Sequence, residues 1–328
     1  MALLPGREHF VLLDDLGEDS AELRLRLARL GEVVACRTLG EALAALEANP
    51  KSLGLLDTRL LAASPPEHVR RLVAWRGRAR LGLVSADDLE AYIPHLRAWG
   101  LTQCLVKTPP VDADELLHFL AMVDDPRSGF GLVRSLRSTL QIHSVGVDSL
   151  PSKVAAIERV ANHFATCGFD IHELYDVRLI LEEATNNALF HAFHTASGEE
   201  KYFIGAFDGL GPDESVRIEY GSDADRVGFS VTDNSGKLRV STIIGKLERQ
   251  MSKQGVFDES GRGLYLSRLL TTRLLLNIEE NRRTQLVAIF DATRRSGRPK
   301  PLLVNYVGQD QFDSWGVDPE LEMGLEMD

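Results

Sequence analysis

The chain has 328 residues, of which 44% are hydrophobic and 26% charged, with a formal net charge of −11. That length suits about two domains with ordinary cores, and the acidic balance argues against general nucleic-acid binding, since phosphate backbones select for Lys and Arg surpluses. No apolar run is long enough to cross a bilayer, no signal region opens the chain, and Cys36, Cys104 and Cys167 are odd in number and far apart, so a cytoplasmic protein with reduced thiols and no membrane partner is expected.

Short apolar runs alternate with helical patterns through the first part of the chain. Residues 10–13 read as a buried strand ending in Asp14 and Asp15, 21–30 as a helix, 32–36 as a strand and 39–47 as a helix. Residues 53–57 read as a strand with Asp57 at its C-terminal end, 68–75 as a helix, and 81–84 as a strand followed by Ser85. A helix over 88–99, a strand over 103–107 closing on Lys107, and a helix over 112–123 complete the series. This alternation predicts an α/β fold with a doubly wound five-stranded parallel sheet. In such a sheet, sites form beyond the carboxyl ends of the strands, where Asp14, Asp15, Asp57, Ser85 and Lys107 fall. Three carboxylates in one crevice repel one another unless a cation sits among them, and hard oxygen ligands suit Mg2+. Ser85 and Lys107 are then placed to hold a phosphoryl group on Asp57.

This layout resembles the flavodoxin-like receiver domain of two-component response regulators, assigned here to residues 1–124. The resemblance implies that Asp57 accepts phosphate from a sensor histidine kinase, that Asp14 and Asp15 bind Mg2+ together with Asp57, that Ser85 contacts the phosphoryl group and that Lys107 pairs with it. Three positions depart from the family pattern. Thr108 separates Lys107 from the following proline, Cys104 stands where an aromatic switch residue is common, and Leu61 replaces a proline four residues after the phosphoacceptor.

Residues 125–150 open with turn formers and read as a linker, with a helix over 132–140 and His143 as an ordinary linker histidine. A second domain follows over 151–296. It begins with a helix over 152–167, with Ser152 as N-cap, and a helix over 171–193 interrupted near Tyr175. Strands over 216–220 and 227–233, a long segment over 241–259, a helical run after Gly261, Arg262 and Gly263, and a hairpin of 274–279 with 284–290 come next. Helices followed by antiparallel strands predict an α/β sandwich. Within 179–191, Glu183, Asn187 and His191 lie four residues apart, which stacks a carboxylate, an amide and an imidazole along one helical stripe. Ile180, Ala184 and Ala188 form the neighbouring apolar stripe. Asp233 ends a strand and opens a turn, where a buried carboxylate can accept from the exocyclic amine of adenine. Gly261 and Gly263 let backbone N–H groups approach phosphates at a helix start.

In this order the motifs resemble the N-box, G1-box and G2-box of the GHKL (Bergerat) ATPase superfamily, and the pattern from Glu183 to His191 is similar to that of the anti-sigma-factor serine kinases. The resemblance implies ATP and Mg2+ as cofactors. Asn187 would coordinate Mg2+, Glu183 would act as general base toward a water or a partner's serine hydroxyl, Asp233 would read adenine, and Gly261, Arg262 and Gly263 would line the phosphates. Thr284 stands where these kinases often carry a Gly-Thr pair, with Arg283 in place of the glycine. In the G1 turn Ser235 and Lys237 occupy the usual glycine positions; a Cβ there opposes closure on adenine, which Gly236 offsets in a shifted register. Residues 199–215 read as an insertion, and 241–259 as an ATP lid whose Lys246, Arg249 and Lys253 face phosphates or solvent. The tail over 297–328 is read as partly disordered, with an edge strand over 302–306 and an acidic end.

The expected function is a response regulator in which phosphorylation of Asp57 controls an ATP-binding, serine/threonine-kinase-like domain acting on an antagonist-type or sigma-factor-like protein. The alternative is a non-catalytic, ATP-binding partner-switch platform under receiver control. Both families often dimerise, so a homodimer is among the implied partners.

Overall fold

A computed structural model describes residues 8–75, 80–136, 141–251, 262–291, 299–301 and 303–308. The chain divides into two compact units, one of Met1–Pro126 with Arg298–Leu303 and Asp310–Asp328, the other of Arg127–Gly297 with Val304–Gln309. No described helix is long and apolar enough to cross a membrane.

In the first unit β1 (Glu8–Leu13), β2 (Gly31–Cys36), β3 (Leu53–Asp57), β4 (Arg80–Ser85) and β5 (Cys104–Val106) form a sheet in the order β2-β1-β3-β4-β5. The pairings are parallel throughout. Every residue of β3 is buried, as a strand covered by helices on both faces must be. The helices are α1 (Ala21–Leu30), α2 (Leu39–Ala48), α3 (Thr58–Ala62), α4 (Pro66–Trp75), α5 (Ile93–Trp99) and α6 (Ala113–Asp124). Thr38 caps α2 and Asp112 caps α6, each side chain accepting from N–H groups of the first turn. The expected doubly wound sheet is therefore present, with two local differences. Asp57 is itself the N-cap of the short α3, because its Oδ1 accepts the N–H groups of Arg59 and Leu60. The helix expected over 88–99 is split into a 3-10 turn, Leu89–Ala91, and α5. Pro94 lies in the first turn of α5, where its missing N–H leaves no bond unmade. Leu12 is fully buried in β1, so Leu12→Ala is expected to lower the unfolding free energy of this unit by about 2–5 kcal/mol, read by urea titration.

The second unit is a six-stranded sheet in the order β11-β9-β10-β8-β7-β6, built from β6 (Ile142–Val147), β7 (Val216–Ser222), β8 (Arg226–Asp233), β9 (Arg273–Glu279), β10 (Arg283–Asp291) and β11 (Leu303–Val307). The pairs β6–β7, β7–β8, β8–β10 and β10–β9 are antiparallel. The helices are α7 (Leu150–Thr166), α8 (Ile171–Asn186), α9 (Val240–Met251) and α10 (Arg262–Leu270). Val160 and Phe164 of α7 and Ile180 of α8 pack on Phe229, Ala288 and Phe290 of the sheet, which makes the expected α/β sandwich.

Several local expectations are corrected. The connector over 125–150 contains β6, an edge strand of this sheet, because its alternating β-branched residues pair with β7 in register. His143 is thus a strand residue, stacked on Tyr220 with ring centroids 5.0 Å apart. The helix expected over 132–140 is a 3-10 turn at Leu132–Arg134, with 137–140 outside the described residues. Ahead of it the chain crosses the sheet as a strap. Gly131 N–H donates to Gln285 Oε1 at 2.9 Å, and Asn277 Nδ2 donates to the Gly129 carbonyl at 2.9 Å, so two buried amides are satisfied by backbone. Helix α7 starts at Leu150 with Ser149 as N-cap, and Ser152 is its partner three residues on in a reciprocal capping box. Helix α8 runs through Tyr175 without a break, because the capping box of Asp170 and Glu173 starts it at Ile171. The expected edge strand near the C-terminus is β11, while the last ten residues and the lid positions 252–259 lie outside the described residues.

Candidate functional site

The carboxyl edge of the first sheet gathers a charged pocket around Lys107, which is 2% exposed. Its Nζ lies 2.7 Å from Asp57 Oδ2, 3.4 Å from Asp14 Oδ1 and 3.8 Å from Asp15 Oδ1. The contact with Asp57 is an ion pair without an aligned hydrogen bond, since Asp57 Oδ2 has no hydrogen-bond partner. Burial pulls the Lys107 ammonium toward its neutral form, but Asp57, Asp14 and Asp15 outweigh it and hold its pKa above the ordinary lysine value. Asp14 is fully buried, and its Oδ2 accepts from Arg24 Nη1 at 2.6 Å, Ser20 Oγ at 2.8 Å and Leu16 N–H at 3.1 Å. Burial pushes its pKa up; Ser20, Arg24 and Lys107 together push harder the other way, leaving the carboxyl below its ordinary value. A depressed carboxyl stabilises the fold above its unfolded pKa and loses that contribution as the pH falls through the folded value. The thermal midpoint of this unit is therefore expected to fall as the pH drops below about 4, and less so in Asp14→Asn.

The other expected groups lie differently. Ser85 Oγ accepts from Thr58 Oγ1 at 2.9 Å and from Asp87 N–H at 3.0 Å, so its hydroxyl is turned along the rim. Arg59 and Asp87 form a two-bonded pair at 2.5 Å beside it. Asp15 is exposed, and its Oδ1 accepts Gly17 N–H at 2.9 Å. The three acids therefore do not enclose an open coordination sphere, and among the described residues no group of three His, Cys, Asp or Glu is placed to hold a metal ion. Two cations, Lys107 and Arg24, already balance the two buried acids, Asp57 and Asp14. Arg24, Ser20, Thr58, Arg59 and Asp87 are not legible as site residues; the four-residue spacing from Ser20, at the N-cap of α1, to Arg24 is the available signal.

The second site is built around α8, β8, β10 and α10. Glu183 on α8 is half-buried, while Asn187 and His191 are exposed. The expected single stripe is broken after α8. Residues Asn187–His191 form a π turn, whose i→i+5 spacing swings His191 away to pair with Glu200 at 2.6 Å. The Glu183 carboxylate instead faces the start of α10: a Cβ on Gly263 would lie 2.3 Å from Glu183 Oε2, so a side chain there would push the carboxylate aside. Arg262 opens α10, whereas Gly261 and Lys253 lie outside the described residues. Lys246 and Arg249 lie on α9.

Asp233 ends β8 at 6% exposure, and burial holds its carboxyl above the ordinary value although Ser235 works against it. Its Oδ1 accepts both the N–H (2.9 Å) and the hydroxyl (2.5 Å) of Ser235. Thr284 is its cross-strand partner on β10, and the buried Thr284 hydroxyl has no hydrogen-bond partner. A buried carboxylate beside an orphaned hydroxyl at paired strand ends fits a polar planar ligand edge. The adjoining turn uses Gly236, at φ 60°. A Cβ there would lie 2.2 Å from the Glu279 carbonyl and 2.5 Å from Arg282 N, and Asn281 N–H donates to the Gly236 carbonyl at 3.0 Å. The turn thus closes on Gly236, with Ser235 bonded to Asp233 and Lys237 bonded to Asn281 Oδ1 at 2.6 Å.

A family model described as a histidine kinase-like ATPase domain matches residues 147–290. The second unit carries this ATPase domain. The match opens at the last residue of β6 and closes within β10. Comparison with curated proteins finds no match. Among solved structures, the signal receiver domain of an HD domain-containing protein from Pseudomonas fluorescens is 19% identical, covering 38% of this chain and 100% of that one, with a TM-score of 0.31. The receiver domain of a Saccharomyces cerevisiae response regulator, crystallised with a histidine phosphotransfer protein, is 14% identical over 35% of this chain and 90% of that one, with a TM-score of 0.29. The Legionella pneumophila response regulator LqsR is 11% identical over 96% of this chain and 95% of its own, with a TM-score of 0.25.

Proposed function

We propose that this protein is a phosphorylation-responsive signalling protein of the two-component type, whose ATPase domain binds Mg-ATP and transfers phosphate to a serine or threonine of a protein partner. The observation that carries the nucleotide reading is the pair of Asp233 and Thr284, one buried acceptor and one orphaned hydroxyl facing the same edge. In this reading Asp233 accepts from the adenine amine, and the backbone at Gly263 with Arg262 meets the phosphates. The Asn187 amide oxygen holds Mg2+, which when bound offsets phosphate charge. Glu183 accepts the proton that the partner hydroxyl loses as its oxygen bonds to phosphorus and the bond to ADP breaks. In the first unit Asp57 Oδ2, the acceptor atom, lies beside Lys107, which balances an added phosphoryl group. The phosphodonor is a sensor histidine kinase or phosphotransfer protein, and the antagonist-type or sigma-factor-like partner belongs to the same reading.

A second reading is favoured by one contact. The Glu183 carboxylate lies against Gly263 at the start of α10, a position that withholds it from a hydroxyl. That arrangement suits a binding platform that holds ATP without transfer.

The test is nucleotide binding and label transfer by the full chain. Asn187→Ala is expected to weaken Mg-ATP binding. Glu183→Ala is expected to leave binding intact and to cut transfer about 100- to 10,000-fold. Tight binding with no transfer selects the platform, and absence of nucleotide binding removes both readings. For the first unit, labelling by a small acyl phosphate is expected in the wild type and not in Asp57→Asn.

A further inference from the structure

We propose that Arg24 is the resident cation of the acid pocket: its guanidinium fills the place beside Asp14 that a divalent ion would take, so the wild-type pocket binds Mg2+ weakly and its two buried acids, Asp14 and Asp57, are charge-balanced without it. The inference does not rest on phosphorylation of Asp57. It rests on how Arg24 is held. Nη1 bonds to Asp14 Oδ2 at 2.6 Å, to Ser20 Oγ at 2.9 Å and to the Gly17 carbonyl at 3.3 Å, while Nη2 bonds to the Leu16 carbonyl at 3.4 Å. These are a carboxylate, a hydroxyl and two loop carbonyls, the hard oxygens that a cation in this loop would recruit.

The loop is shaped around that guanidinium. Leu16 sits at φ 64°, a left-handed conformation that side-chain-bearing residues rarely adopt. Asp14 accepts its N–H and Arg24 donates to its carbonyl, so both neighbours hold the turn. On the far side of Asp14, Oδ1 faces Lys107 Nζ at 3.4 Å. Both oxygens of the central acid therefore already face cationic groups. A divalent ion has to displace Arg24 from Asp14 and then sit beside the displaced positive charge. Asp15 offers little compensation, being exposed and bonded to Gly17 N–H. A planar guanidinium also suits a phosphoryl-type anion, to which it can present two parallel donors.

The experiment is calorimetric titration of the nucleotide-free full chain with MgCl2. Wild type is expected to show only weak, millimolar binding. Arg24→Ala and Arg24→Gln are expected to bind Mg2+ about tenfold or more tightly than wild type, while Arg29→Ala, which removes a charge from the same helix without touching the pocket, stays at wild-type affinity. Adding Asp14→Asn to Arg24→Ala is expected to erase the gain, which places it in this pocket and not in the ATPase domain. Melting curves supply the second readout: Arg24→Ala is expected to melt lower than wild type in chelator and to recover in Mg2+, whereas wild type is indifferent to Mg2+. Sub-millimolar binding by wild type, equal affinity in wild type and the Arg24 variants, or a gain that survives Asp14→Asn each overturns the proposal. The wild-type titration stands even where a variant fails to fold. Failed labelling of Asp57 leaves these outcomes unchanged, so the two ideas fall separately.

Discussion

Asp233→Ala is expected to weaken nucleotide binding by the full chain about 10- to 100-fold while leaving the ATPase domain folded. The acceptor is lost from a site that excludes water, and a hydrogen bond to a charged group in such a site contributes about 1.5–3 kcal/mol. Stability should change little, because burial already holds the Asp233 carboxyl above its ordinary pKa, so the folded protein gains nothing from ionising it. The Ser235 hydroxyl and N–H lose an acceptor, but Ser235 is half-exposed and water replaces it. Asp233→Asn should be as damaging, since its amide presents a donor where the adenine amine also donates. Calorimetric affinity for ATP beside a urea titration reads both quantities. Affinity within threefold of wild type in both variants would remove adenine recognition from Asp233.

Gly236→Val is expected to destabilise the ATPase domain by at least about 3 kcal/mol and to abolish nucleotide binding with it. A left-handed conformation costs a side-chain-bearing residue about 1–2 kcal/mol, and here the Cβ also meets the backbone of the β9–β10 turn, 2.2 Å from the Glu279 carbonyl and 2.5 Å from Arg282 N. Backbone on both sides leaves no flexible side chain to give way. The turn it strikes precedes Thr284, so the damage reaches the hydroxyl beside Asp233. Ser235→Gly and Lys237→Gly supply the contrast. If the turn has shifted register, restoring glycine at those positions changes stability by no more than about 1 kcal/mol. A large gain from either, or tolerance of Gly236→Val, would show that the turn runs in the usual register.

Asp57, Lys107 and Asp233 were legible because each follows an apolar run, and strand ends in these architectures are where sites form. The role of Gly236 was legible only as one option among registers, since φ is not visible in residue identity. Arg24 carries no mark of a site in the sequence: apart from its spacing from Ser20, nothing local separates it from Arg26, which pairs with Glu22 on its own helix, or from Arg29. Strand β6 reads as linker in the sequence because an isolated β-branched run acquires meaning only when a partner strand, here β7, lies beside it. The break after Asn186 is hidden because helical and π turns share the same residues.

The amino-acid sequence by itself determined the first sheet, most strands of the second and the acids at the strand ends, because burial patterns with periods of 2.0 and 3.6 are set by neighbouring residues. Only the tertiary structure decided which groups meet: Arg24 on Asp14, Glu183 against Gly263, Gly236 against the Glu279 carbonyl and Thr284 beside Asp233. Those pairings depend on how separate elements pack, and electrostatic and steric energies at 2–4 Å change steeply with displacements that no local pattern encodes.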